Sequence, residues 1–147
     1  MANMTDRNRV AALLQAIFTS STTFTITPGT GGGSAIAISP PYHLRLMSTA
    51  GSNTANGTEL TATGYTAGGN TMGSSAFGAP SAGVQSSSNV VSWTAGAAWS
   101  AVVGVEVWDT AATPLRWLQG TITSVTLANG NTLSFAAAAI TADGSQW

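Results

Sequence analysis

The near absence of ionic side chains constrains this chain more than any other feature of its sequence. Among 147 residues four are basic, all of them Arg, and five are acidic, whereas Ala (25), Thr (22), Ser (17) and Gly (17) make up more than half. Six per cent charged residues is far below the usual quarter. Either such a chain aggregates easily, or other subunits cover much of its surface.

The same composition excludes several classes of function. A net charge of −1 leaves no basic patch for nucleic acid, so we expect no nucleic-acid partner. The absence of Cys excludes disulfides, thiolate metal sites and a Cys nucleophile. One His and scattered acids are too few ligands for a metal site, and no motif indicates a cofactor. The first apolar stretch is short and amphipathic, so we expect no membrane partner.

Hydrophobic periodicity predicts one helix followed by many strands. A helix over residues 5–18 is indicated by five apolar residues at helical spacing: Val10, Leu13, Leu14, Ile17 and Phe18. From residue 22 onward apolar and polar residues alternate with period two. We therefore expect a single, mainly β domain with eight to ten short strands, an antiparallel β-sandwich that is jelly-roll-like or barrel-like. Residues 42–147 would form its core, and residues 22–41 an additional hairpin.

Several strands can be placed more closely. Alternation predicts strands at residues 42–49, 103–108 and 115–123, a weaker strand at 59–65 and another within 72–77. In the first of these, Tyr42, Leu44 and Leu46 would share one face, and His43, Arg45 and Met47 the other.

The sequence around Asn129-Gly130 predicts a hairpin. A three-residue loop, Ala128-Asn129-Gly130, pairs Val125 with Leu133 and requires Gly130 to be left-handed. This register, unlike that of a two-residue loop, places four apolar residues on one face: Val125, Leu127, Leu133 and Phe135. We expect residues 136–139 to continue the second strand.

Residues that could support catalysis are present without the required arrangement. A nucleophilic triad would need His43 between an acid and an activated hydroxyl, and no Gly-x-Ser-x-Gly elbow occurs. Glu106 and Asp109 could act as paired carboxylates, but we interpret Glu106 as exposed and Asp109 as a turn former. Residues 29–34 lack the Lys of a phosphate-binding loop and are interpreted as a flexible loop. We therefore expect no enzyme and no catalytic, metal or cofactor-binding residues.

The tryptophans lie in the last third of the chain: Trp93, Trp99, Trp108, Trp117 and Trp147. Exposed Trp rings can stack on sugars, but Trp is also enriched at protein interfaces. We expect two or three of them to pack internally and Trp108 and Trp147 to contact partners. The additional hairpin contributes four further candidate interface residues: Phe24, Ile26, Ile36 and Ile38.

Short motifs follow one another along the chain in a characteristic order. They are Gly64-Tyr65, Phe77-Gly78-Ala79-Pro80-Ser81-Ala82-Gly83, the run from Val103 to Ala111 that contains Val107-Trp108-Asp109, Leu115-Arg116-Trp117-Leu118-Gln119-Gly120, and the run from Asn129 to Ala137. Their order and spacing resemble a family of small tailed-bacteriophage virion proteins labelled tail fibre or minor tail proteins. The chain departs from that pattern in residues 22–41, which would form an additional hairpin, and at Leu118-Gln119, which replaces the aromatic residue that the family pattern has before the glycine. No catalytic residues come with this resemblance.

The resemblance implies a non-enzymatic structural protein located in the virion and assembled in the host cytoplasm. Small size, low charge and the lack of a fibrous receptor-binding domain favour a decoration or cement protein on the head. It would bind the major capsid protein or other virion subunits as a homotrimer at the local symmetry axes of the lattice. The alternatives are a minor tail or tail-fibre module and, from another class, a carbohydrate-binding β-sandwich module that recognises a host surface glycan.

Overall fold

A computed structural model describes residues 24–26, 36–73, 75–81 and 84–143. Within these residues the chain is mainly β, with antiparallel pairing and no helix. The strands of the described part are β1 (Phe24–Ile26), β2 (Ile36–Ile38), β3 (His43–Thr49), β4 (Thr58–Glu59), β5 (Asn70–Thr71), β6 (Val84–Ser86), β7 (Val91–Thr94), β8 (Trp99–Trp108), β9 (Arg116–Leu127), β10 (Thr132–Phe135) and β11 (Thr141–Asp143). The helix predicted over residues 5–18 lies outside the described residues.

The three longest strands, β3, β8 and β9, form a central sheet with β4 in the order β4-β3-β8-β9, and β5 also pairs with β3. Its apolar residues alternate as predicted, because side chains of a strand point to opposite faces in turn. Leu44 and Leu46 on β3 are fully buried, and Val107 on β8 is 1% exposed. This inner face of the central sheet covers the hydrophobic core.

The remaining described strands form separate two-stranded sheets, β1–β2, β7–β10 and β6–β11. Trp93 of β7 and Phe135 of β10 contact edge to face at 6.2 Å and belong to the same core as Val107. Ala142 of β11 is also buried in this core. The core is therefore shared between the central sheet and two of the smaller sheets.

The turn at Gly130 is confirmed, but the hairpin predicted around it is wrong. Gly130 is left-handed, with φ 82°, and the Asn131 N–H donates to the Ala128 carbonyl at 3.1 Å. Val125 nevertheless pairs with Val102 of β8, and Leu133 pairs with Trp93 of β7. All four apolar residues of the predicted face still contact the core, so burial alone does not distinguish a hairpin from a crossing between two sheets.

Three strand predictions also need correction. The strand predicted at residues 59–65 is reduced to β4, and the one predicted within 72–77 is an isolated bridge between Phe77 and Ser87. Residues 136–139 form a turn instead of continuing β10, with Ala138 at φ 64°. Small side chains such as Ala gain little from a pleated surface, so nothing in this Ala run favours extension of the strand.

The two short strands described within residues 22–41 pair with each other in antiparallel orientation. Phe24 lies opposite Ile38 and Ile26 opposite Ile36, with Thr25 opposite Ala37 between them. Directly opposed residues of antiparallel strands lie on the same face. The four apolar residues therefore share one face of the β1–β2 sheet.

Candidate functional site

Charged residues gather on the outer face of the central sheet, opposite the core. Arg45 of β3 pairs across the ladder with Glu106 of β8, and Trp108 pairs with Arg116 of β9. Glu59 of β4 completes this group, which we call the outer-face network. It contains both ion pairs found among the described residues, Arg116–Glu106 at 2.8 Å and Arg45–Glu59 at 3.4 Å.

Glu106 is the centre of the network, and it is buried. Its carboxylate is 1% exposed and accepts hydrogen bonds from Arg116 Nη1 at 2.8 Å, the Gly57 N–H at 2.8 Å and Trp108 Nε1 at 2.9 Å. The prediction of an exposed Glu106 is therefore wrong. Its alternation phase correctly places it away from the core, but the loop between β3 and β4 folds over that face.

Arg116 fastens this loop to the sheet. Its guanidinium donates to the Ala55 carbonyl at 2.8 Å and the Ser52 carbonyl at 2.5 Å, in addition to Glu106. Gly51 lies so close that a Cβ there would collide with Glu106 Oε1 and Arg116 Nη1. Close approach of loop and sheet therefore depends on a residue without a side chain at position 51.

The second half of the network surrounds Arg45. Its guanidinium carbon lies 4.4 Å from the centroid of the Trp108 ring, within the range of a cation–π contact. Glu59 accepts hydrogen bonds from the Tyr65 hydroxyl at 2.7 Å and the Gly68 N–H at 2.6 Å. Burial, and then donation of this hydrogen bond to Glu59, raise the pKa of Tyr65 well above its usual value.

Asp109 closes the turn after β8, as predicted. Its carboxylate accepts from the Leu115 N–H at 2.8 Å, the Ala111 N–H at 3.3 Å and Trp117 Nε1 at 3.1 Å. It is 2% exposed. Burial, and then the negative charge of Asp109, raise the pKa of Tyr42.

Each of these groups has hydrogen-bond partners within the fold. Nδ1 of His43 lies 3.1 Å from the Gly68 carbonyl, which can only accept, so this nitrogen carries the proton. A triad would place a carboxylate at that position. The carboxylates of Glu106 and Asp109 are each held by three donors. Among the described residues no three His, Asp or Glu side chains are grouped closely enough to hold a metal ion.

The tryptophans of the described part point their polar edges inward. Trp93 and Trp99 are buried in the core, as expected for part of the set. Trp99 donates to the Thr63 carbonyl at 2.8 Å, while Trp108 and Trp117 donate to the two buried carboxylates. Trp108 is half-buried, and its role as an interface residue stays a prediction. Trp147 lies outside the described residues.

An apolar groove runs beside β9 on the inner face of the central sheet. Its volume is about 200 Å³, and its apolar lining comes from three parts of the chain: Val105 and Val107, Leu118 and Ile122, and Phe135 and Ile140. None of the described strands pairs with the edge of β9 that faces away from β8. Groove and unpaired edge therefore lie side by side along one strand.

Sequence reasoning did not identify Arg116, Glu59 and Tyr65 as members of a network. For Arg116 and Glu59 the available signal was the scarcity of charged residues, since a charged residue in such a sequence is expected to have a specific partner. Local patterns do not reveal which strands are neighbours, and so could not pair Arg116 with Glu106.

Comparison with family models, with curated proteins and with solved structures gives no match. The described residues include no helix that is long and apolar enough to cross a membrane.

Proposed function

We propose that this chain is a non-enzymatic structural protein of a tailed-bacteriophage virion, as its motif order suggests. Its most specific role would be that of a decoration or cement protein, bound as a homotrimer to the major capsid protein on the head. We propose further that the central sheet and the β7–β10 and β6–β11 pairs are the two layers of an antiparallel β-sandwich. The core that they share supports this arrangement.

The observation that carries the proposal is that charged side chains bind partners within the protein instead of facing solvent. In the outer-face network each Arg is paired with a Glu, and Glu106 lies beneath the loop between β3 and β4. The carboxylate of Asp109 accepts hydrogen bonds within its own turn. What the long strand β9 exposes is neutral and mostly small: Gln119, Gly120, Thr121, Thr123, Ser124 and Thr126. Such a surface loses few ionic hydration shells on contact with another protein, so covering it costs little.

The alternatives receive less support from the geometry. A minor tail or tail-fibre module would use the same neutral surface and differs only in its location on the particle. A carbohydrate-binding module needs aromatic rings whose faces are exposed and free to stack on a sugar. In the described part, Trp93 and Trp99 are buried, and Trp108 and Trp117 are partly buried and held by hydrogen bonds from their indole N–H groups to Glu106 and Asp109.

The proposal is tested by separating heads from tails of the phage that encodes this chain and quantifying the chain in each fraction by mass spectrometry. A decoration protein is expected in the head fraction, at a constant ratio to the major capsid protein. Recovery in tails alone would replace it with the tail module. A glycan array probed with the wild-type chain and Trp108→Ala tests the carbohydrate alternative, for which binding lost in the variant is required.

A further inference from the structure

We propose that the unpaired edge of β9 accepts the β1–β2 hairpin of a second copy of this chain, so that copies join head to tail. This inference rests on the proposed role in an assembly and identifies the surfaces that would form it. The donor is the hairpin with Phe24, Ile26, Ile36 and Ile38 on one face. The acceptor is the outer edge of β9 together with the apolar groove beside it.

The acceptor edge lacks several of the features by which proteins usually prevent strand addition. Edge strands are commonly short, or protected by Lys, Pro, an inward-pointing charge or a β-bulge. β9 spans twelve residues, and no charged residue or proline occurs between Arg116 and Asp143. Its register against β8 shifts at both ends of the stretch from Leu118 to Thr121, which pairs without a shift and lies beside the groove. This regular stretch is the part of the edge suited to pair with a short strand.

The groove supplies selectivity for an apolar strand. In strand addition the main chain provides hydrogen bonds, and alternate side chains enter pockets on one face. Leu118 and Ile122 of β9 point into the groove, where Phe135 and Ile140 lie opposite. A strand added to this edge would direct every second side chain toward the same groove.

The hairpin has the complementary properties. A two-stranded sheet with strands of three residues is marginal on its own, and pairing with the edge of a larger sheet would stabilise it. No charged residue occurs between Arg9 and Arg45, so donor and acceptor segments are both uncharged. Each copy would use its hairpin toward one neighbour and its β9 edge toward the other. Such head-to-tail contacts form a closed ring when the rotation between successive copies allows it, as the proposed trimer requires.

The first experiment measures self-association of the purified chain by light scattering, alongside two matched Lys variants. Thr123→Lys places a charge at an exposed position of the acceptor edge, whereas Ser92→Lys places it at an exposed position of β7, which is paired with β10. Thr123→Lys is expected to weaken association about tenfold or more, with Ser92→Lys close to wild type. A monomeric wild-type chain, or equal association of both variants, would overturn the proposal. Circular dichroism establishes that each variant is folded.

The second experiment identifies the occupant by cross-linking, which is simple because the chain has no Cys. A tagged Thr25→Cys chain is mixed with an untagged Thr123→Cys chain and treated with a short bismaleimide; Ser92→Cys replaces the latter as control. Cross-linked pairs of unequal chains, above the control, are expected. A chain that carries both Thr25→Cys and Thr123→Cys is treated in the same way. If it cross-links only within itself, its own hairpin occupies the edge, and the proposal is overturned. Because no virion is used, failure here leaves the head and tail experiment unaffected.

Discussion

At the scale of single residues, Glu106 is the side chain on which the outer face most depends. Three donors converge on a carboxylate that is almost fully buried, and one of them is a cation. Removal of one partner from a buried ion pair leaves an uncompensated charge, which is strongly destabilising.

Glu106→Gln is expected to lower the free energy of unfolding by about 2–4 kcal/mol, because an amide removes the counter-charge of Arg116 and directs an N–H toward another donor. Urea denaturation followed by Trp fluorescence measures the effect. The matched control is Glu59→Gln, whose carboxylate is 26% exposed and whose loss should cost about 1 kcal/mol. Equal losses in the two variants would refute the central position of Glu106.

The two tyrosines give the chain a specific response to alkaline pH. The chain lacks both Lys and Cys, so Tyr42 and Tyr65 are its only side chains that titrate near pH 10. Burial raises the pKa of both in the folded state. The unfolded chain therefore loses these protons first, and its ionisation favours unfolding.

Stability should be unaffected by the tyrosines below about pH 10 and fall above it, by about 1.4 kcal/mol per pH unit for each tyrosine that stays protonated in the fold. Tyr42→Phe and Tyr65→Phe should each reduce this slope by about half, since the pKa of each tyrosine is raised well above its usual value in the folded state. Urea midpoints between pH 8.5 and 11.5 test this. A wild-type midpoint that stays constant above pH 10 would contradict it.

At the scale of elements, the loop between β3 and β4 determines what the outer face presents. It covers Glu106 because Gly51 and Gly57 allow its backbone to lie against the sheet. A Cβ at position 57 would lie 2.6 Å from the Thr49 carbonyl oxygen. The loop therefore has no room for a methyl group at this position.

Gly51→Ala is expected to lower the free energy of unfolding by about 2 kcal/mol, since the methyl group displaces Arg116 or Glu106. Gly120→Ala on β9 is the matched control, because its Cβ would meet Val105 Cγ2 at an ordinary 3.8 Å and should change stability by less than about 0.5 kcal/mol. Thermal unfolding compares the two variants. Equal stability of both would mean that the loop does not lie on the sheet as described.

Elements also show where sequence reasoning succeeds and fails. The alternation of Val105 and Val107 locates β8 correctly, because a half-buried strand must carry apolar residues with period two. The same rule could not choose between β7 and β9 as the partner of β10, since Leu133 becomes buried in either case. It also placed Glu106 correctly on the outer face but could not foresee a loop above it.

At the scale of the whole molecule, the proposed assembly would account for both the scarce charge and the mainly β fold. The two arginines and two glutamates of the outer-face network are ion-paired, and Asp109 is held by donors. One edge of β9, which is uncharged beyond Arg116, is paired by none of the described strands. Composition predicted a surface that suits contact with other subunits, and the motif order suggested which kind of particle provides them. Neither indicates the surface that we propose for this contact, which depends on the positions of β9 and its groove.

The proposed location in a phage virion is tested most directly by a cryo-EM map of the particles formed by the phage whose genome contains this sequence. The predicted result is density for the chain on the outer surface of the head, at the local symmetry axes of the capsid lattice, with neighbouring copies in contact. Density confined to the tail, or a particle without the chain, would contradict it.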